Sequence, residues 1–228
     1  MANLRKKVLG TVSGAVGDIL FRTKNGRNYI GTRPLSFVPG KDEKSVARRK
    51  RFAMATRLAK QINSIYKLKS VWKSVTPADL SPYNQIVRAN YKNVQSDSVS
   101  DQVSLVPEIG FSVQINSIDI DQTRLRLTLN GISSSSGIDT LNESYFHLVG
   151  ILHLSNPVDE ENTDHLFLRL IFDEQALVLN TELNFILNFN DQTSQLISQY
   201  QDRKAFLSLL TLNTERNVVN YSNTFFNS

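Results

Sequence analysis

The residue types able to do chemistry are few, and they are scattered. Three histidines, His147, His153 and His165, stand in apolar runs, "SYFHLVGILHLS" and "HLFLRLIFD". Histidine titrates near neutrality and ligates transition metals. The intervening "VDEENTDH" adds Asp159, Glu160, Glu161 and Asp164. A metal centre would need three or four of these side chains to converge. A solvated acidic loop flanked by strand histidines accounts for the same residues, and no metal or cofactor is expected. Asp119, Asp121, Asp173 and Glu174 close strand-like runs. Paired carboxylates there could do acid–base work, although strand-end acids are commonly turn residues. Ser13 in "GTVSG" lacks the spacing of a nucleophile elbow. Gly10, Gly14 and Gly17 form neither a dinucleotide fingerprint nor a phosphate loop, and are expected to permit close backbone packing. No catalytic residue emerges, and the chain is not expected to be an enzyme.

What remains is electrostatic. Arg22, Lys24, Arg27, Tyr29 and Arg33 lie within "FRTKNGRNYIGTRP", and Arg48, Arg49, Lys50 and Arg51 form an unbroken run. Cations interleaved with an aromatic can neutralise phosphates while the ring stacks on a base. The same charges can dock on an acidic protein surface, of a partner or of the chain's own acidic half, or simply solvate a face.

The elements that must carry these residues follow from local pattern. Asn25 and Gly26 between alternating apolar residues signal a two-residue type I′ hairpin. The register then pairs Lys24 with Arg27, Thr23 with Asn28, Arg22 with Tyr29 and Phe21 with Ile30. One face carries Ile19, Phe21 and Ile30; the other carries Arg22, Lys24, Arg27 and Tyr29. In "GKDEKSVARRKRFAMATRLAKQINSIYKLKSVW", Asp42 or Ser45 is the candidate N-cap, and Phe52, Ala55, Leu58, Ala59, Ile62 and Ile65 recur at helical spacing. The arginines crowd the first turns, where the helix dipole disfavours cations, so they do not serve the helix itself. "SPYNQIVRANYKNV" offers Ser81 as cap, Pro82 at the first helical position, and Tyr83, Ile86, Val87 and Tyr91 as a packing face. Two helices are expected.

Charge divides the chain. Residues 1–95 hold 20 basic and 4 acidic residues, net +16; residues 96–228 hold 6 and 17, net −11. The polar "QSDSVSD" of residues 95–101 reads as the linker between two domains, a basic arm over 1–95 and an acidic domain over 96–228. There the period changes to two: "FSVQINSIDI", "RLRLTLN", "HLFLRLIFD", "ALVLN", "ELNFILNFN" and "AFLSLLTLN" read as strands, with "DQTSQLISQYQ" a short helical connection. The expected fold is α+β: a basic hairpin with two helices, then an antiparallel β-sandwich, Ig-like or jelly-roll-like.

Over the first 95 residues, "GTVSGAVGDILFRTKNGRNYIGTRP", "ARRKRFAMATRLAKQI" and "YNQIVRANYKN" together resemble a family of uncharacterised Bacteroidota proteins. The resemblance rests on Gly10, Gly14, Gly17, Gly26, Arg33, Pro34, Arg49, Phe52, Tyr83 and Asn84, and Gly31-Thr32 departs from the family's Arg-x-Arg element. That family has no assigned activity, so the resemblance implies an assembly role rather than a reaction.

The chain has no cysteine, which excludes disulfides and thiolate chemistry. Arg5, Lys6 and Lys7 before an apolar run mimic an export signal, but glycines interrupt that run and Asp18 closes it, so no cleaved leader is expected and the compartment stays open. The composition points to a non-enzymatic structural component of a larger array, such as a virion, filament or surface assembly. Its basic segment would contact neighbouring subunits or an acidic partner. Nucleic-acid binding through that segment is the alternative.

Overall fold

The computed structural model describes residues 2–3, 13–24, 26–33, 36, 38–107 and 110–227. Residues 5–7, Gly10, Asn25 and Pro34 lie outside them. The chain is α+β, and it divides into two compact units, Met1–Val46 and Ala47–Ser228.

In the first unit, β1 (Ala2–Asn3), β2 (Gly14–Val16), β3 (Ile19–Lys24) and β4 (Arg27–Thr32) form one antiparallel sheet in the order β1-β4-β3-β2. The β3–β4 register is the one that a two-residue turn dictates: Lys24 opposes Arg27, Arg22 opposes Tyr29 and Phe21 opposes Ile30. Gly26 has φ +73°, in the left-handed region. A β-branched side chain there meets a steric penalty. Gly26→Val should therefore open the turn and speed hydrogen exchange at the Arg27–Thr32 amides, whereas Lys24→Gln should leave them protected. Unchanged exchange in the valine variant would rule out a glycine requirement.

Helix α1 (Glu43–Ser64) starts at Asp42, whose carboxylate accepts a hydrogen bond from the Ser45 amide at 3.0 Å. Its buried residues are Met54, Ala55, Leu58, Ala59 and Ile62. Phe52, expected on this stripe, is 56% exposed. Arg51, four residues before Ala55 and seven before Leu58, takes the inward position instead. The single long helix expected next is two. Ile65 adopts extended dihedrals (φ −81°, ψ 107°) and drops into the core, and α2 (Tyr66–Val75) restarts the stripe with Leu68, Val71 and Trp72. Helix α3 (Pro82–Asn90) has the expected cap, the Ser81 hydroxyl accepting from the Asn84 amide at 3.2 Å, with Pro82 opening the helix. Its Tyr83 and Val87 pack on the core around buried Ile86.

Two antiparallel sheets follow. One has the order β10-β6-β5, from β5 (Ile115–Ile120), β6 (Arg124–Leu129) and β10 (Leu183–Asn188). The other runs β12-β11-β7-β8 through β7 (Tyr145–Pro157), β8 (His165–Ile171), β11 (Tyr200–Leu212) and β12 (Val218–Tyr221). On this sheet β9 (Gln175–Ala176) pairs with β7 and β13 (Phe225–Phe226) with β11. The expected helical connection is α4 (Asp191–Ser198), capped by Asn190.

Alternation along β7 and β11 serves two cores. Val149, Ile151, Phe206, Leu210 and Leu212 face the α1–α3 helices. Phe146, Leu148, Leu152, Leu207 and Leu209 share the other core with Leu125, Leu127, Leu129 and Phe185 of the smaller sheet. The larger sheet is thus buried on both faces, as its near-continuous apolar strands require.

This overturns the boundary expected at 95–101. Helices and strands share one core, so α1–α3 cannot belong with the hairpin as a separate basic domain. Residues 95–101 form no loose linker: Val94 bridges Val99, and the Gln95 amide donates to the Ser98 carbonyl at 2.9 Å.

Candidate interaction surface

The sequence-selected cations fall into two groups. In the N-terminal sheet, Arg22, Lys24, Arg27 and Arg33 are exposed and Tyr29 is half-buried. Register places Arg22, Lys24, Arg27 and Tyr29 on one face. The opposite face is apolar but poorly covered: Ile19 is 45% exposed, with Phe21 and Ile30 only half-buried. Among the described residues of this unit, only Asn28 is buried and none belongs to either hydrophobic core. Burial, not hairpin hydrogen bonding, is what makes small sheets stable in water.

The second group lies on α1. Arg48, Arg49 and Lys50 are exposed, and Arg51 is not one of them in role. Its Nε donates to the Tyr91 carbonyl at 3.0 Å and its Nη2 to the Lys92 carbonyl at 3.2 Å, with the guanidinium 4.7 Å from the Tyr91 ring. These carbonyls end the α3 segment, where the backbone dipoles favour a cation. Arg51 is consequently a structural clasp between α1 and the end of α3. The helical layer as a whole, residues 47–95, has 11 basic residues and one acid, Asp79. Arg48, Arg49, Lys50, Arg57, Lys60, Lys69, Lys73, Arg88 and Lys92 are all exposed on it.

No family model, curated protein or solved structure matches this chain.

Three further clusters bring titratable side chains together. Glu174 accepts from Lys67 Nζ at 2.8 Å and from Arg216 Nη1 at 2.6 Å, joining α2 to the loop between β11 and β12. Although burial alone would raise its pKa, Lys67 and the other neighbouring cations hold the Glu174 carboxyl below its ordinary value. His147 Nδ1 lies 3.7 Å from the same carboxylate. Among the described residues, neither of the buried His147 ring nitrogens has a well-formed hydrogen bond. Burial and Lys67 lower the pKa of His147, leaving a neutral imidazole.

His153 and His165 do meet: β7–β8 pairing brings His153 Nε2 within 3.1 Å of His165 Nδ1, and the His153 ring stacks on Phe167 at 4.9 Å. Among the described residues no three potential ligands converge on a metal-binding position. Asp121 and Asp119 are turn and ion-pair residues: Asp121 accepts from the Thr123 amide and hydroxyl, and Asp119 pairs with Arg126 at 3.0 Å.

The buried histidine sets a pH dependence. Burial, reinforced by His165 and Lys204, pushes the His153 pKa down to about 4, against 6.5 for the free imidazole. The unfolded chain then binds more protons between those values, so folding stability rises with pH across that window. The contribution is complete above pH ~6.5 and is lost as pH falls towards ~4, an amount on the order of 3 kcal/mol. Urea midpoints at pH 5 and pH 8 should differ accordingly, and His153→Gln should flatten the profile. An unchanged slope in that variant would show that His153 is not the responsible group. Among the described residues no helix is long and apolar enough to cross a membrane.

Proposed function

We propose that this chain is a non-enzymatic structural component of a larger assembly and that its N-terminal segment makes the contacts between subunits. The observation that carries this reading is the contrast between the two units. Residues 47–228 own two closed cores, whereas the sheet of residues 1–46 has no core residue among those described and leaves Val16 71% and Ile19 45% exposed. Such a sheet gains stability by covering its apolar face with another surface. We read the body as a β-sandwich backed by helices, a reading supported by the core that residues of the two sheets share.

Charge favours a second copy as that surface. The helical layer is strongly basic, while the loop after β7 presents exposed Asp159, Glu160, Glu161 and Asp164. Opposed patches on one chain suit head-to-tail contacts that close into a ring or extend as an array.

Sedimentation velocity on the full-length protein tests the reading. We expect concentration-dependent oligomers that weaken with salt, and further weakening in an Arg22→Gln, Arg27→Gln, Arg48→Gln, Arg49→Gln variant. A strict monomer at high concentration and low salt would overturn it. Nucleic-acid binding is the second reading, favoured by Phe52 (56% exposed) and Tyr66 (80% exposed) on the basic helices, where rings can stack on bases. In that case the same variant should lose oligonucleotide affinity almost uniformly across sequences, and its salt slope should fall by about one unit per lost contact.

A further inference from the structure

Helix α1 and the start of β8 enclose a cleft of about 320 Å³ whose polar lining consists of hydrogen-bond donors or groups that can donate: Arg57, Lys60, Gln61, Thr163 and His165, above a floor that includes Phe167. Arg57, Lys60 and Gln61 stand at i, i+3 and i+4, so one helix face directs all three. Among the described residues no carboxylate lines the cleft. Several cations elsewhere in the body are already committed: Arg124 to Asp121, Arg126 to Asp119, Lys204 to Asp101 and Arg216 to Glu174. Arg57 and Lys60 have no hydrogen bond or ion pair among the described residues.

His165 adds a donor that can be charged. Its Nδ1 is taken by His153, leaving Nε2 for a ligand. The groups that act on His165 are mixed. Burial lowers its pKa, Asp164 and Asp97 oppose that, and Arg57 acts with it. Its neighbour His153 is itself held neutral by burial, His165 and Lys204. An added proton on the pair therefore goes to His165, the half-buried member, when an anion arrives to compensate it.

We propose that this cleft binds a tetrahedral oxyanion of the phosphate type, held by Arg57 and Lys60 and oriented by Gln61, Thr163 and His165. Arginine matches two oxygens of such a group through its planar fork, and lysine supplies a point charge. None of the cleft's residues lies in the N-terminal sheet.

The test is a titration of the full chain with inorganic phosphate at constant ionic strength and pH 7.5, followed by calorimetry and by the NMR shifts of His165. Saturable one-to-one binding is expected. Arg57→Gln and Lys60→Gln, both at exposed positions, should each weaken it about tenfold, the loss of one charge-assisted contact. Lys69→Gln with Lys73→Gln, exposed cations outside the cleft, should leave it unchanged.

Sulfate, which stays a dianion across this range, isolates the protein's own proton. Its affinity should rise as pH falls from 8 to 6 in the wild type, and stay flat in His165→Gln. A short oligonucleotide distinguishes the source of the phosphate: displacement of bound phosphate places phosphodiesters in the site, and its failure restricts the site to free phosphate or monoesters. Absence of saturation, or equal weakening by the Lys69/Lys73 pair, would overturn the proposal by reducing the effect to diffuse charge.

Discussion

Gly150→Val is expected to abolish a stable native state, and Gly150→Ala to cost about 3 kcal/mol or more, the upper range for overpacking a buried site. Gly150 sits in the middle of β7, opposite Leu207 of β11 and Leu170 of β8. A Cβ built there would lie 2.3 Å from the Phe206 carbonyl oxygen and 2.6 Å from Leu207 Cδ2. The first neighbour is backbone, so the clash cannot be relieved by a rotamer change. Relief would require β11 to move away from β7, and those two strands are paired from Tyr145 with Leu212 to Pro157 with Tyr200. Both faces of the pair are buried, so the displacement would open both cores. Gly31→Ala in β4 is the contrasting case: no described residue lies within 4 Å of its added methyl and its backbone needs no left-handed φ, so little change is expected. Urea denaturation followed by circular dichroism measures both. An alanine variant at 150 within about 0.5 kcal/mol of wild type, the usual scatter of harmless surface changes, would refute the close approach.

The legible parts of the fold were those fixed by neighbours in sequence. A two-residue Asn-Gly loop admits one register, and β3–β4 has it; Ser81-Pro82 supplies a cap and a first-turn residue, and α3 begins there. Features fixed by tertiary packing were not legible. An amphipathic stripe reports that α1 buries one face, but not that the face covers β7 and β11 of the same chain, and this misplaced the expected boundary near residue 95. The stripe's phase was also ambiguous, since Phe52 and Arg51 differ by one residue and only the carbonyls of Tyr91 and Lys92 decide which turns inward. The polar segment "NVVNYSNTFF" carries no clean alternation, yet β12 and β13 form there because β11 offers an open edge and polar side chains find partners, as Ser208 does with the Ser222 carbonyl.

The same limit applied to the sites. Clustered cations at 48–51 were visible as a run, whereas Arg57 and Lys60 are isolated in sequence. They become a pair of ligands only when β8 brings Thr163 and His165 to α1. Histidine contact likewise depends on the β7–β8 register, which pairs His153 with Phe167 and Ser155 with His165. No local signal sets the length of the acidic connection that determines it.

Trp72→Ala should lower the stability of residues 47–228 by about 3–5 kcal/mol, the range for truncating a large buried aromatic. Trp72 is 1% exposed in the core between helices and sheet, and its indole Nε1 donates to the Leu105 carbonyl at 2.8 Å. Removing the ring leaves a cavity and also strands that buried carbonyl, so the cost exceeds the lost apolar area alone. The effect should not stay local. Asn90 of α3 ties the same connection, its Nδ2 donating to the Ser104 carbonyl at 2.9 Å while its Oδ1 accepts from the Ser104 amide at 2.8 Å, and the Leu105 amide donates to Thr224 near the end of the chain. Helical layer, connection and final strands are therefore held at one point. Trp72 is the chain's only tryptophan, so its fluorescence reports this junction directly in the wild type. Its unfolding transition in urea should coincide with loss of the sheet signal by circular dichroism, as one cooperative event. If the helical layer and the strands were independent domains, the fluorescence change would precede or follow loss of the sheet, and the alanine variant would retain native strand content at urea concentrations where its helices had melted. Coincident transitions would establish residues 47–228 as one cooperative folding unit.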